Sequence, residues 1–458
     1  MTTIHAERPT APGRHQAVPP GGARAHPVAV LAVIGAGALA VLGLWWANTP
    51  AVTGLGDALT GAGRITGLLA GYAIVVLLAL MARVPALERG VGSDRLARWH
   101  AMGGRYTVGL AVAHTLLIIW GYAVTDATGL VDETITLNLS YPDVLKATVA
   151  VLLLVGVGVI SARAVRPRLR YETWFHLHFY TYLAAYLAFG HQLATGAEFQ
   201  DARLAQAAWY GLYLGVAGLL LWYRFLTPVR QSLKHRLRVA QVVHEGPGIF
   251  SVYVTGRRLD RLRAEPGQFF RWRFLNRHLW WSANPYSLSA APRHDVLRIT
   301  VKDLGDHSRE ITRLRPGTRV IAEGPYGAFT PARRKGHKVL LIAGGVGITP
   351  LRALFEAIPA APGDLTLLYR ASNPDDLAFR AELEQIAAQR GAALHYSVGP
   401  RAEIGEPFTP EVLSGLVPQL PRHDVYVCGP DGMTRDVIAA LRAAGVHRRR
   451  IHHESFEF

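Results

Sequence analysis

Two stretches decide the reading of this chain: residues 99–114, WHAMGGRYTVGLAVAH, and residues 174–191, WFHLHFYTYLAAYLAFGH. Both lie in apolar runs long enough to cross a membrane, where an ionisable side chain is functional by default. His100 and His114 stand 14 residues apart. On a helix that is about 21 Å of rise and about 40° short of whole turns. Two imidazoles then share one face at two depths of a hydrocarbon layer roughly 30 Å thick. A second helix with the same depth pattern would supply two more ligands, and two bis-imidazole sites would hold two stacked b-type haems. In the second stretch, His178 to His191 is 13 residues and His176 to His191 is 15. The ideal wheel favours His176, depth alone favours neither, and a kink or π-bulge near Gly190 would rescue the shorter spacing.

The composition agrees with a membrane protein. Of 458 residues 50% are hydrophobic, and the formal charge of +16 comes from 49 Lys+Arg against 33 Asp+Glu. The arginines gather beside the apolar runs and in loops suited to cofactor phosphates, so membrane topology accounts for them and a nucleic-acid partner is not needed. The single cysteine, Cys428, excludes internal disulfides and a Cys-ligated iron–sulfur cluster. No C-x-x-C-H occurs, so haem would be held without thioether links.

Residues 1–27 hold five prolines, three arginines and no apolar run, and read as a disordered cytoplasmic tail. Six apolar segments follow at 28–47, 65–82, 100–124, 144–162, 174–193 and 207–226, each near the length of a spanning helix. The first starts too far into the chain for a cleaved signal sequence. The 82–99 loop carries Arg83, Arg89, Arg95 and Arg98, and the 161–173 loop carries Arg163, Arg166, Arg168 and Arg170. The 125–143 loop holds Asp126, Asp132, Glu133 and Asp143 with no basic residue. The positive-inside rule then makes both termini cytoplasmic, with His100 and the 176/178 position near the inner side and His114 and His191 near the outer. Arg105, five residues into the third segment, would snorkel to the headgroups or pair with a haem propionate.

Beyond residue 237 the pattern changes to short β-like runs at 237–243, 249–254, 269–274, 296–301 and 318–322, which suggest a small antiparallel barrel. From Lys338 strands alternate with helices, at 339–343 and 351–358, 365–369 and 377–388, 425–428 and 434–444, implying a parallel α/β sheet. The first of these strands runs into Gly344-Gly345-Val346-Gly347-Ile348-Thr349-Pro350. Such a turn lets backbone approach a pyrophosphate at a helix N-terminus. Arg370 ends the next strand, where an NAD-selecting fold usually places an acid; with Arg380 it points to a 2′-phosphate, hence NADPH before NADH. In the barrel, Asn284-Pro285-Tyr286-Ser287 sets an aromatic beside a hydroxyl, suited to an isoalloxazine, and Gly305-Asp306-His307-Ser308 is a small turn suited to a phosphate.

Together these motifs resemble the ferric reductase and NADPH oxidase superfamily over about residues 60–458. The resemblance implies a membrane all-α six-helix bundle (28–230), then an antiparallel β-barrel FAD domain (231–335) and an α/β nucleotide-binding domain (336–458). It matches the family's third-helix histidines to His100 and His114. It matches the fifth-helix pair to His178 and His191, within the family-like Tyr171-Glu172-Thr173-Trp174, and so selects His178 over His176. The family's His-Pro-Phe-Thr/Ser flavin motif stands here as Asn284-Pro285-Tyr286-Ser287. Cys428-Gly429-Pro430 is similar to the family's turn near the nicotinamide, and Phe456 or Phe458 to its terminal aromatic over the flavin.

The function this implies is electron transfer from cytosolic NADPH through FAD, the His100/His178 haem and the His114/His191 haem to a small acceptor outside. Dioxygen giving superoxide and ferric iron giving ferrous are the two expected acceptors. The bilayer is the expected partner, and the sequence identifies no protein partner. A membrane-anchored NAD(P)H:flavin reductase serving a cytosolic protein, and a haem-based redox sensor, are the alternatives.

Overall fold

Pro27 opens the first helix, α1 (Pro27–Ala47), where its missing N–H costs nothing and the His26 side chain caps Val28. The computed structural model describes residues 23–49, 51–169, 171–200, 202–400, 403 and 405–454. The chain divides at Leu226 and Thr227 into two compact units.

The first unit is helical: α2 (Leu55–Leu80), α3 (Pro85–Gly90), α4 (Ser93–Thr125), α5 (Leu130–Ser140), α6 (Val144–Ser161), α7 (Tyr171–His178), α8 (Tyr180–Thr195) and α9 (Arg203–Leu220). A π-helical stretch, Leu221–Leu226, continues α9 into α10 (Thr227–His235). Among the described residues five helices are long and apolar enough to cross a membrane: α1, α2, α4, α6 and the run Arg203–His235. The expected unbroken helix at 174–193 is not among them, because the chain is interrupted at Phe179 between α7 and α8. Two i→i+3 hydrogen bonds, Phe179 N to His176 O (3.1 Å) and Tyr182 N to Phe179 O (3.0 Å), tighten the helix there. The interruption is at Phe179 rather than near Gly190.

α2 starts ten residues before the expected segment, and its polar Arg64 is taken up by Glu198. Gly63, Gly67 and Gly71 repeat at four-residue spacing along α2, the small-residue pattern that lets helix backbones approach closely in lipid. A β-carbon at Gly63 would lie 2.8 Å from Ile118 Cδ1, so α2 and α4 pack with almost no room between them.

In the second unit α10 is followed, among the described residues, by six strands before the nucleotide module: β1 (Arg238–Gly246), β2 (Ile249–Thr255), β3 (Phe269–Phe274), β4 (Asn284–Ser287), β5 (Val296–Lys302) and β6 (Val320–Tyr326). They form two three-stranded antiparallel sheets, β1-β2-β5 and β4-β3-β6, rather than one continuous barrel ladder. Among the described residues the isolated bridges Arg238–Arg319 and Leu288–Ile299 join the sheets, around a core that includes Val252, Phe270, Trp272 and Ile299. Between β5 and β6 lies α11 (Asp306–Thr312). The unit then forms a five-stranded parallel sheet in the order β11-β10-β7-β8-β9. Its strands are β7 (Val339–Gly344), β8 (Leu365–Ala371), β9 (Ala393–Val398), β10 (Asp424–Cys428) and β11 (Ile451–Glu454). Helices α12 (Ile348–Ala357), α13 (Arg380–Arg390), α14 (Pro410–Leu416) and α15 (Asp431–Ala443) complete it. The strand order reverses between β7 and β10, which makes their carboxyl ends the expected ligand crevice.

Candidate functional site

α4 brings its two histidines face to face with those of α7 and α8. The His100 and His178 ring centres lie 5.9 Å apart, and those of His114 and His191 6.1 Å apart. An imidazole nitrogen holds a first-row metal at about 2.0–2.1 Å, so two rings sharing one ion from opposite sides stand with centres about 6 Å apart. His176 packs against Phe175 at 6.0 Å and is outside both pairs. The interruption at Phe179 explains how a 13-residue spacing serves: a 3₁₀ turn advances each residue by about 120° instead of 100° and overwinds His178 towards the His191 face.

The free ring nitrogens are set by their neighbours. His100 Nδ1 is 3.2 Å from Leu77 O, and His114 Nδ1 is 2.8 Å from Gly63 O. A carbonyl only accepts, so both Nδ1 atoms carry the proton and leave Nε2 as the ligating lone pair. His191 Nδ1 lies 2.9 Å from Thr195 Oγ1, whose own proton goes to His191 O at 2.9 Å, so this ring takes the same tautomer. His178 Nδ1 is buried and has no hydrogen-bond partner among the described residues. The donor set therefore fits bis-imidazole haem.

Gly67 makes room for the outer pair, since a β-carbon there would sit 2.5 Å from His114 Nδ1. A cavity of about 230 Å³ adjoins this pair and is lined by His114, His191, Gly67, Arg64 and Glu198. Arg64 donates to Glu198 Oε1 from Nε (2.8 Å) and Nη2 (2.5 Å), with the carboxylate 2% exposed. None of Gly63, Gly67, Arg64, Glu198 and Thr195 stands out as a site residue in the sequence; the Gly-x₃-Gly-x₃-Gly repeat is the available signal. Arg105 is exposed on α4, about 140° around the helix from His100, and is brought to neither pair.

In the second unit the two flavin-motif candidates meet. Asn284 Nδ2 lies 2.8 Å from His307 Nδ1, and Ser282 Oγ 2.6 Å from His307 Nε2. Pro285 is exposed at the edge of β4. Burial pushes the Tyr286 phenol up to about 12, and the buried Ser287 Oγ has no partner among the described residues, as a hydroxyl kept for a flavin edge would. The Gly305–Ser308 turn is largely self-satisfied: Ser308 Oγ accepts from Leu304 N (2.9 Å) and Gly305 N (3.0 Å), while Asp306 is fully exposed.

At the β7/β10 crevice the glycines are needed for contact. A β-carbon at Gly344 would overlap Met433, one at Gly347 would overlap the Cys428 carbonyl, and one at Gly429 would lie 3.1 Å from Gly344 Cα. Their absence lets the turn before α12 touch Cys428-Gly429-Pro430, leaving a cradle at the start of α12 that side chains would fill. Gly345 has φ +53°, a left-handed conformation that glycine tolerates best. Thr349 and Pro350 are buried in the first turn of α12, with Thr349 Oγ1 donating to Val346 O at 3.0 Å. Arg370 does not project freely: its guanidinium donates to the carbonyls of Ala371, Ser397 (3.2 Å) and Gly399 (2.5 Å). Arg380 is exposed, pairs with Glu384 at 3.0 Å and lies 5.7 Å from the Tyr396 ring. Phe456 and Phe458 lie outside the described residues.

Three family descriptions match the chain: a ferric reductase like transmembrane component at residues 66–189, an FAD-binding domain at 238–330 and an oxidoreductase NAD-binding domain at 341–438. The ferredoxin reductase component of 3-ketosteroid-9-alpha-monooxygenase from Mycolicibacterium smegmatis is 31% identical over 231 residues, 48% of this chain and 65% of that protein. Ferredoxin–NADP reductase B from Sorangium cellulosum is 32% identical over 191 residues, 38% of this chain and 77% of that protein. The chain thus spans less than two thirds of the Mycolicibacterium protein's length. The flavohaem-like FAD/NAD-binding domain of a nitric oxide dioxygenase from Vibrio cholerae covers 48% of this chain and 98% of its own, at 24% identity and TM-score 0.40. Along the chain, a ferric-reductase-like transmembrane region is thus followed by an FAD-binding and an NAD-binding module.

Proposed function

Because the chain belongs to the ferric reductase and NADPH oxidase superfamily, we propose that it carries electrons from cytosolic NADPH across the membrane to an acceptor outside. The bundle over 28–230 holds two b haems and spans six times, counting α7–α8 as one interrupted span, with both termini cytoplasmic. Residues 231–335 bind FAD and 336–458 bind NADPH. The acceptor is dioxygen, giving superoxide, or ferric iron, giving ferrous.

The observation that carries the reading is the double histidine pairing at 5.9 and 6.1 Å, with three of four rings held in the metal-binding tautomer. FAD, when bound, turns a two-electron hydride into single electrons, and haems pass them singly. The chain's own part is to hold and orient. The glycine turn before α12, with Gly344, Gly345 and Gly347, takes the pyrophosphate against the positive end of that helix. Arg380, exposed at the start of α13, meets the 2′-phosphate. Arg370, whose Nη1 and Nη2 donate to carbonyls, supports that edge of the sheet. Tyr286 and Ser287 bind the isoalloxazine, and Cys428 closes the nicotinamide side of the crevice. Phe456 or Phe458 covers the flavin until the nicotinamide displaces it. His100 with His178, and His114 with His191, hold the two haems.

A reduced-minus-oxidised spectrum and pyridine-haemochrome assay of the purified membrane protein test this directly. Two b haems and one FAD per chain are expected. A protein with FAD but no haem would be a membrane-anchored flavin reductase, and the proposal would fall.

A further inference from the structure

Arg224 sits in the π-helical stretch Leu221–Leu226, inside the last apolar run. Single π turns recur at functional sites, and an arginine in an apolar span is retained for a partner. Its Nη1 donates to Met81 O at 3.2 Å, while His100 Nδ1 binds Leu77 O at 3.2 Å. Leu77 and Met81 are four residues apart at the end of α2, so the two carbonyls lie one turn, about 6 Å, apart along the axis. The guanidinium therefore stands one turn beyond His100, towards the end where α2 leaves the apolar layer. A guanidinium carries five N–H donors in a planar fork, so its one bond among the described residues, to Met81 O, leaves it able to grip a carboxylate as well.

We infer that Arg224 pairs with the propionate carboxylates of the haem between His100 and His178, whereas the sequence offers propionate pairing to Arg105 as one of two roles. A haem carboxylate in an apolar layer needs a charged or hydrogen-bonding partner and turns to the nearer surface, where this arginine waits. Arg105 is exposed and on another face. The other source of an anion there is a phospholipid phosphate, reached by snorkelling. The inference rests on the haem reading above.

Potentiometric titration of the purified full-length protein, with haem content measured alongside, tests it. R224Q should keep two haems per chain and lower the midpoint of one. The expected change is tenfold or more in that haem's reduction equilibrium, which is 59 mV for a one-electron couple. R224H keeps a cation at low pH, so the same midpoint should fall as pH rises through about 6.5. R105Q should move neither midpoint. Two haems with both midpoints unmoved in R224Q overturn the assignment alone. So does an R224H midpoint that ignores pH, should R224Q fail to fold. A wild-type chain without haem overturns the assignment together with the proposed function.

Discussion

Gly67→Ala is the sharpest single-residue test of the outer histidine pair. The added β-carbon would lie 2.5 Å from His114 Nδ1, 2.7 Å from Cε1 and 3.0 Å from Cγ, where non-bonded atoms settle at about 3.5–4.0 Å. Retreat of α2 would break its close contact with α4 at Gly63, where a β-carbon would lie only 2.8 and 2.9 Å from Ile118. The imidazole must turn instead and surrender the 2.8 Å contact with Gly63 O. Losing a buried hydrogen-bond partner costs about 1–3 kcal/mol, and overpacking costs a similar amount. At about 1.4 kcal/mol per decade, the outer site should hold its haem roughly 10–100-fold less tightly. Nothing covalent would retain it, since the chain lacks a C-x-x-C-H motif. The assay is haem per chain after purification, followed by titration of the depleted protein with haem. G67A should approach one haem per chain, with FAD content and flavin reduction by NADPH unchanged. Gly109→Ala on α4 is the control, because its β-carbon meets nothing within 4 Å. Two haems bound as tightly in G67A as in the parent would refute the geometry.

His178→Ala should lose the inner haem while His176→Ala retains both; the reverse pattern in haem content would return the ligand role to the ideal wheel's choice. Arg380→Ala should reduce the preference for NADPH over NADH about tenfold, as expected for a charge-assisted contact of about 1.5–3 kcal/mol. Arg370→Ala should lower thermal stability more than cofactor preference, and equal kcat/KM for the two nucleotides in the parent protein would sink the 2′-phosphate reading. Burial raises the Glu382 carboxyl, but Arg298 (2.8 Å) and Arg352 (2.9 Å) outweigh it and hold it below the ordinary glutamate value. A carboxyl depressed on folding stabilises above about pH 4.3 and loses that contribution as pH falls through its folded value. Glu382→Gln should therefore melt lower than the parent at pH 7 in thermal scans of the full-length protein, with the gap closing in acid. A constant gap from pH 7 to pH 3 would show that the ion pair is not its source.

Much of the second unit is legible because its signals are local. β7 ends at the predicted glycine turn and α12 follows at once, as five apolar residues running into Gly344-Gly345 require. The short β4 is not legible as a strand: Asn284-Pro285-Tyr286-Ser287 is polar and proline-bearing, and it is extended only because β3 pairs with it, Trp272 opposite Asn284. β9 and β11 escape a reading of periodicity because the sheet, not their own pattern, holds them at its edges. Arg370 marks the limit at the site itself. Strand position suggests a phosphate contact, but the neighbouring carbonyls of Ser397 and Gly399 arrive only through the β8–β9 pairing.

The sequence by itself determined which residues stand at two depths of an apolar layer, which loops carry positive charge, and where strand gives way to glycine turn and helix. Those properties follow from periodicity and composition, which are written along the chain. The ideal wheel chose His176 and the family resemblance His178; the tertiary structure supplies the physical reason for His178 meeting His100, a tightened turn at Phe179 that an ideal wheel does not contain. Only tertiary structure set Gly67 beneath the His114 ring and joined Arg64 to Glu198 across 134 residues of sequence. It likewise set Arg224 on the Met81 carbonyl, one turn from the Leu77 carbonyl that His100 binds. These pairings come from close approach of helices distant in sequence, where backbone carbonyls and missing β-carbons matter as much as side chains.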